Sequence, residues 1–366
     1  MKLKAQKDIL LDALYYAQGI ADRKATMPIL ANVLLRTDGD NVTVAATDLN
    51  LTVTSEVAAT ISEPGEVTVS AKHLHDIVKG LGDEVEMETL SNGQLAIRSG
   101  RAVYKVASLP ARDFPKLPKM ADVVFARVDA SVMRDMIAKT FFSVSSDETR
   151  SHLNGVLFEC LDDSARMVST DGHRLSLCER PLPGSQKMMA LIPRRGLVEI
   201  RRALDDAGSV EIALSGANFF VRTGSTTLSV RINEAAFPPW QQVVPKSSER
   251  EVTVKTAELL SSMKRIMLVA SEKTHGVRLA VSDGQIAIET DNPDLGDGRE
   301  LLDAKLSGTP ITIGFSGRYL IDVLQEVQAP EVRISLGNDL DPAMIAPVDD
   351  GKDGNRALFV IMPMRL

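Results

Sequence analysis

Short strings of similar residues recur along this chain at an almost constant step. Asn32-Val33-Leu34-Leu35, Gly155-Val156-Leu157-Phe158 and Gly276-Val277-Arg278-Leu279 begin 123 and 121 residues apart. Leu74, Leu197 and Leu320, each early in an expected helix, are separated by 123 and 123. Phe114-Pro115, Phe237-Pro238 and Met362-Pro363 close the copies. Thr47-Asp48 matches Thr170-Asp171 at a step of 123, with Ser282-Asp283 as a looser third copy. Ile97-Arg98-Ser99-Gly100 and Val221-Arg222-Thr223-Gly224 lie 124 apart. One third of 366 residues is 122, so the copies fill the chain without remainder. A chain of this length exceeds one hydrophobic core. The repeat therefore implies three similar domains, 1–122, 123–247 and 248–366.

Inside each copy the hydrophobic period changes in the same order. Helical stretches are expected at Lys7 to Gln18, Asp129 to Phe142 and Lys255 to Val269, and again at Ala71 to Leu81, Pro193 to Leu204 and Ser316 to Val327. Between them run alternating, β-branched segments with turn signals such as Asp38-Gly39, Asn92-Gly93, Asp171-Gly172 and Asp283-Gly284. Each domain is thus α+β, two helices and about eight strands, with both helices packed on one side of antiparallel sheets. Pro193 fits the first turn of a helix and Ser316 an N-cap. No low-complexity linker separates the copies.

Charge is distributed unevenly over these elements. The formal net charge is −7, which argues against a body that coats nucleic acid with its whole surface. Yet the six helical stretches hold thirteen basic and nine acidic residues, +4, leaving −11 for everything else. Pro193 to Leu204 is the most basic, with Arg194, Arg195, Arg201 and Arg202 against Glu199. Each helix alone reads as a solvated face. Together they suit sequence-independent contact with phosphates.

Little else suggests catalysis. Ser169, Asp171 and His173 are triad residue types, but one turn holds all three, and triads draw on separate elements. His73 and His75 at i and i+2 on a helix point to different faces, so no metal site is expected. Neither a P-loop nor a dinucleotide-binding glycine pattern occurs, and no cofactor is expected. Asp291, Asp294 and Asp297 read as solvated loop carboxylates, with a two-metal nuclease site as the alternative. Cys160 and Cys178 lack metal spacing and read as buried thiols. The N-terminal stretch is broken by Lys7, Asp8 and Asp12, and nowhere do ~18 apolar residues run together, so neither a secretory signal nor a membrane span is expected and the chain reads as cytoplasmic. The end, Phe359 to Leu366, is apolar. Periodicity alone allows a last core strand, whereas Pro363 should stop the ladder and leave Met364 and Leu366 unpaired near the surface, a setting suited to several partners.

Taken together, the repeat, Leu153-Asn154-Gly155, Thr170-Asp171-Gly172-His173-Arg174-Leu175, Ile192-Pro193-Arg194-Arg195-Gly196 and Met362-Pro363-Met364-Arg365-Leu366 closely resemble the family of β subunits of bacterial DNA polymerase III, the sliding clamps. The resemblance runs the whole length. It implies a non-catalytic processivity factor, a head-to-tail homodimer whose six domains make a pseudo-six-fold ring around duplex DNA. A clamp loader places such a ring, which then tethers the replicative polymerase α subunit and other polymerases and repair proteins through short linear motifs. The matching pocket positions are Leu153, Thr170, Gly172, His173, Arg174, Leu175, Pro238, Gln242, Val243, Val360, Ile361, Met362, Pro363, Met364, Arg365 and Leu366. Gln242 is a departure, since relatives often have a basic residue there. Ser151 and His152 depart likewise where some relatives carry two tyrosines. The implied DNA-facing residues are Arg23, Lys24, Lys72, Lys79, Arg134, Lys139, Arg150, Arg194, Arg195, Arg201, Arg202, Lys264 and Arg265. Tyr104 and Val106 would meet Leu268 and Val269 of the other subunit. A metal-dependent nuclease or phosphatase and a repeat protein that binds only proteins are the competing classes; metal-dependent turnover would mark the first and failure to stay on circular DNA the second.

Overall fold

The computed structural model describes residues 1–21, 26–120, 123–183, 187–205 and 207–365. The first third runs β1 (Lys2–Gln6), α1 (Lys7–Ile20), β2 (Asn32–Asp38), β3 (Asn41–Thr47), β4 (Leu51–Glu63), β5 (Glu66–Ser70), α2 (Ala71–Lys79), β6 (Glu84–Thr89), β7 (Leu95–Ser99), β8 (Ala102–Val106) and β9 (Ser108–Leu109). The second runs β10 (Ala126–Asp129), α3 (Ala130–Phe141), β11 (Gly155–Cys160), β12 (Ser164–Thr170), β13 (Arg174–Pro181), β14 (Met188–Pro193), α4 (Arg194–Leu204), β15 (Ser209–Ser215), β16 (Asn218–Thr223) and β17 (Thr226–Arg231). The third runs β18 (Arg250–Lys255), α5 (Thr256–Ile266), β19 (Gly276–Ser282), β20 (Gln285–Asn292), β21 (Gly296–Asp303), β22 (Lys305–Ser307), β23 (Ile311–Ser316), α6 (Gly317–Glu326), β24 (Glu331–Leu336), β25 (Ala343–Pro347) and β26 (Arg356–Ile361). All three thirds share one order, differing only by the short additions β9 and β22. The chain is α+β, three copies of a two-helix, antiparallel-sheet domain.

Local pattern explains the elements. In β1, Leu3 and Ala5 are buried between outward Lys2, Lys4 and Gln6, the two-residue period of a half-buried strand. On α1, Leu10, Ala13, Leu14, Ala17 and Ile20 fall at steps of three and four and form the buried stripe. Ser70 Oγ accepts from the His73 N–H and caps α2. The turn glycines Gly39, Gly93, Gly172 and Gly284 all have positive φ, as their Asp-Gly and Asn-Gly pairs imply. Gly155 answers a different need. A Cβ there would lie 2.6 Å from the Ile192 carbonyl oxygen on the neighbouring strand.

The described residues cluster into two compact units, Met1–Ala130 with Val198–Ile232, and Ser131–Leu197 with Asn233–Leu366. Strand pairing explains this division. In the first unit, residues Leu51 to Ser55 of the long β4 pair with Val230 to Thr226 of β17, so sheet from the second copy continues into the first. In the second unit, Arg174 to Glu179 of β13 pair with Ile361 to Arg356 of β26. The first unit thus holds one thirteen-stranded sheet and the second a nine-stranded and a four-stranded sheet. Helix α1 packs against α2 and on β3 and β4, and α5 packs against α6 and on β20 and β21.

Several sequence expectations need correction. Pro193 ends β14, opposite Gly155, rather than starting the helix, because a residue without an N–H is tolerated at a strand end. Ser316 precedes α6 in extended conformation, but its side chain makes no capping bond. Asp291 and Asp297 are not in a loop; they oppose each other in the β20–β21 hairpin, exposed as expected. Cys160 and Cys178 are both buried, and burial pushes the Cys178 thiol up to about 12.

Candidate functional site

The turn between β12 and β13 is a small self-contained scaffold. Thr170 Oγ1 donates to the Arg174 carbonyl (2.6 Å) and accepts from the Gly172 N–H (3.1 Å). Asp171 Oδ1 accepts from the N–H groups of His173 (2.9 Å) and Arg174 (3.1 Å), and Gly172 takes φ +93°. Ser169 is fully buried and its Oγ donates to the Thr140 carbonyl at 2.5 Å. Asp171 is spent on the turn and on Arg174, and His173 stands exposed. The three residues hold a loop and form no nucleophilic triad.

Arg174 ties this turn to two other elements. Its Nε donates to Asp171 Oδ2 (3.0 Å), Nη1 to Asp322 Oδ2 of α6 (2.6 Å) and Nη2 to the Phe142 carbonyl beyond α3 (2.5 Å). The guanidinium also lies 4.3 Å from the Tyr319 ring centre and 5.3 Å from that of Phe142. Burial, and then Asp171, push the Tyr319 phenol above its ordinary range. With only a tenth of its side chain exposed, Arg174 acts as a strut.

The chain end crosses this scaffold. Strand β26 stops at Ile361, which pairs with both Arg174 and Ala343. Beyond it the Met362 N–H donates to the His173 carbonyl (2.9 Å) and, past Pro363, the Met364 N–H donates to the Gly314 carbonyl of β23 (2.8 Å). The expectation that Pro363 frees Met364 is therefore corrected, because the proline ends one ladder and the next N–H finds another. Met362 is 37% exposed and Met364 half-buried. Leu366 lies outside the described residues.

Between these parts opens a cleft of about 820 Å³. Of the pocket residues named from the sequence, His173, Arg174, Met362, Pro363 and Met364 line it. Arg150 and Arg194, expected on a DNA-facing surface, line it too. Leu175 and Val360 instead belong to a small core around Trp240, while Gln242 and Val243 are exposed. Leu153 is buried and Pro238 and Thr170 are half-buried, while Gly172 and Arg365 are exposed. Ile361 belongs to the main core of the second unit. Phe142, Tyr319 and Asp322 of the lining escaped sequence reasoning. Aromatics make up 4% of the chain, and that scarcity was the one usable signal.

The helix cations sort into distinct settings. Lys72, Lys79, Arg201 and Lys264 are exposed and form no ion pair among the described residues; Arg195 is exposed and Arg134 half-buried. Lys139 is a correction. It is 5% exposed and bound to Asp135, which also receives Arg180 at 2.6 Å, so it faces the interior. Arg202 donates to the Tyr15 carbonyl (2.8 Å) and stacks 3.6 Å from that ring centre, and Arg265 is paired with Glu300. Both are partly neutralised or covered. Arg23 and Lys24 lie outside the described residues.

Two sheet edges stand out. β14 is bridged by Asn233, β23 takes the Met364 N–H, and β10 and β22 are short. β8 and β21 are longer and carry exposed Val103, Tyr104 and Leu301. Leu268 is 77% exposed, and a Cβ on Gly298 of β21 would sit 2.9 Å from Cγ2 of the adjacent Val269. No helix among the described residues is long and apolar enough to cross a membrane.

Comparison with known proteins matches the whole chain. Family profiles of the DNA polymerase III beta subunit match residues 1–118 (N-terminal domain), 127–239 (central domain) and 241–365 (C-terminal domain). The beta sliding clamp of Caulobacter vibrioides is 32% identical over 377 residues, covering all of both chains. The crystal structure of the DNA polymerase III subunit beta from Pseudomonas aeruginosa superposes with a TM-score of 0.93 at 30% identity, again over all of both chains. The Pseudomonas aeruginosa sliding clamp bound to griselimycin gives 0.92 at 30% identity and the same coverage.

Proposed function

The chain belongs to the DNA polymerase III beta-subunit family, the sliding clamps, and from this premise we infer how it closes and where its partners dock. Its function is that of a non-catalytic processivity factor. In our reading the three domains, 1–122, 123–247 and 248–366, join those of a second copy head to tail, and the pseudo-six-fold ring encircles duplex DNA. It works in the cytoplasm, where a clamp loader places it and the polymerase α subunit and other polymerases and repair proteins take turns on it.

The observation that carries this reading is the pair of open edges. An unpaired strand with exposed apolar side chains is a template for pairing with another chain. β8 offers Tyr104 and Val106 with Arg101 and Lys105; β21 offers exposed Leu301 with Asp297 and Asp303, and Leu268 is exposed next to Val269, which lies close to Gly298 of β21. The two edges are complementary in charge and unlike in sequence, so each copy presents one of each, and two copies satisfy all four. Exposed Lys72, Lys79, Arg195, Arg201 and Lys264 suit phosphate contact without base reading. The cleft lined by His173, Met362, Pro363 and Met364 is where short partner segments bind.

The test is topological. The protein is loaded on a nicked circle, washed, and the circle is linearised. A ring is retained on the circle and lost from the linear DNA; retention on both refutes encirclement.

A further inference from the structure

The mouth of the cleft carries more positive charge than its walls use. Both carboxylates that line it, Asp171 and Asp322, are held by Arg174 at 3.0 and 2.6 Å. Arg194 donates to the Val144 carbonyl (3.4 Å) and leans over the Phe141 ring (4.7 Å), while Arg150 lies 3.4 Å from Asp147. Lys273 and Arg318 remain, both exposed and without a carboxylate partner among the described residues.

These two are held in place. His275 takes φ +51°, a conformation unfavourable for a residue with a side chain. Its N–H donates to the Ser271 carbonyl (2.7 Å), and its own carbonyl accepts from the Gly317 N–H (2.8 Å). The turn bearing Lys273 is thereby tied to the start of α6, which bears Arg318. Gly317 is itself closely packed, since a Cβ there would run into Met267 Sδ. Among these polar groups the lining also carries apolar and aromatic side chains, Phe142, Tyr319, Met362 and Met364.

We propose that the cleft selects acidic peptides, extended segments whose bulky apolar side chains lie on these walls while neighbouring Asp or Glu carboxylates meet Lys273 and Arg318. This rests on the reading of the cleft as the docking place of partner segments. Exposed ion pairs contribute little singly, so two together should favour an acidic flank by about three- to tenfold at low salt. The preference should shrink as the screening length falls from ~30 Å at ~0.01 M salt to ~8 Å at ~0.15 M.

The experiment uses the full-length protein and three labelled decapeptides with the same Leu and Phe anchors, flanked by Ser, Asp or Lys, titrated by fluorescence anisotropy. Asp flanks should bind tightest, and the order of Asp and Lys should invert in the K273E/R318E double variant. The peptide series on the unaltered protein tests the idea even if that variant folds poorly. Equal affinity for Ser and Asp flanks overturns the proposal while leaving the docking reading intact. Failure of every peptide to bind overturns both. If an oligo-dT strand displaces the Ser-flanked peptide while Asp confers no gain, the mouth serves nucleic acid and the proposal falls.

Discussion

Replacing Arg174 by Ala would remove three charged hydrogen bonds and two ring interactions at once. The exposed fractions are 10% for Arg174, 16% for Asp171 and 27% for Asp322, so solvent replaces little of what is removed. A hydrogen bond to a charged group contributes about 1.5–3 kcal/mol, and breaking a buried pair costs about 3–5 kcal/mol. Asp171 retains two backbone N–H partners and Asp322 can rehydrate, so the sum is smaller than the parts. We expect about 2–4 kcal/mol, and about half that for Arg174→Lys, which keeps the charge but loses the planar fork. The loss should be local, because the strut joins the 170–175 turn, α6 and the segment after α3. Hydrogen exchange of those amides should therefore accelerate by about 30- to 1000-fold, since each ~1.4 kcal/mol is a factor of ten. Peptide affinity should fall with it. Unchanged exchange in the turn and in the first turn of α6 would refute the strut.

Charging both Leu268 and Val269 should produce monomers in sedimentation, since each buried apolar side chain contributes about 1.5–3 kcal/mol; a surviving dimer rejects the β21 edge as the interface. Alanine at Lys72, Arg195, Arg201 and Lys264 should lower the salt slope of DNA binding by about 0.9 for each phosphate that is no longer neutralised. Lys139→Ala should leave that slope alone and instead destabilise the fold by about 1–3 kcal/mol, because Asp135 loses a buried partner; an altered slope would return Lys139 to the DNA face. Burial raises the Cys178 pKa from 9.0 to about 12, so the unfolded chain ionises this thiol first and stability from this group falls as pH climbs through that interval. At pH near 8 iodoacetamide should label Cys178 only as fast as the protein opens, and rapid native labelling would contradict the burial.

The repeat step, the helix stripes and the Asp-Gly turns were all legible because each depends on residues a few positions apart. Leu10, Ala13, Leu14 and Ala17 share a face by helix geometry alone, and Gly172 answers a backbone demand set by its own turn. Those local rules, read three times over, carried the α+β domain and its family motifs. Where the copies join, they were silent. β4 meets β17 and β13 meets β26 through backbone groups that every strand possesses, so nothing in the side-chain pattern selects the partner. The same limit explains the two corrections at the site. Pro363 correctly ended its own ladder, but only the folded chain brings Gly314 to the Met364 N–H. Lys139 looks like any charged helix residue until Asp135 and Arg180 are placed around it and the face is covered. Arg174 reads as a binding residue in the motif, and becomes a strut because Asp322, 148 residues onward, lies 2.6 Å away. Burial and ion pairing are properties of neighbours in space, and for these residues the decisive neighbours are supplied by tertiary structure.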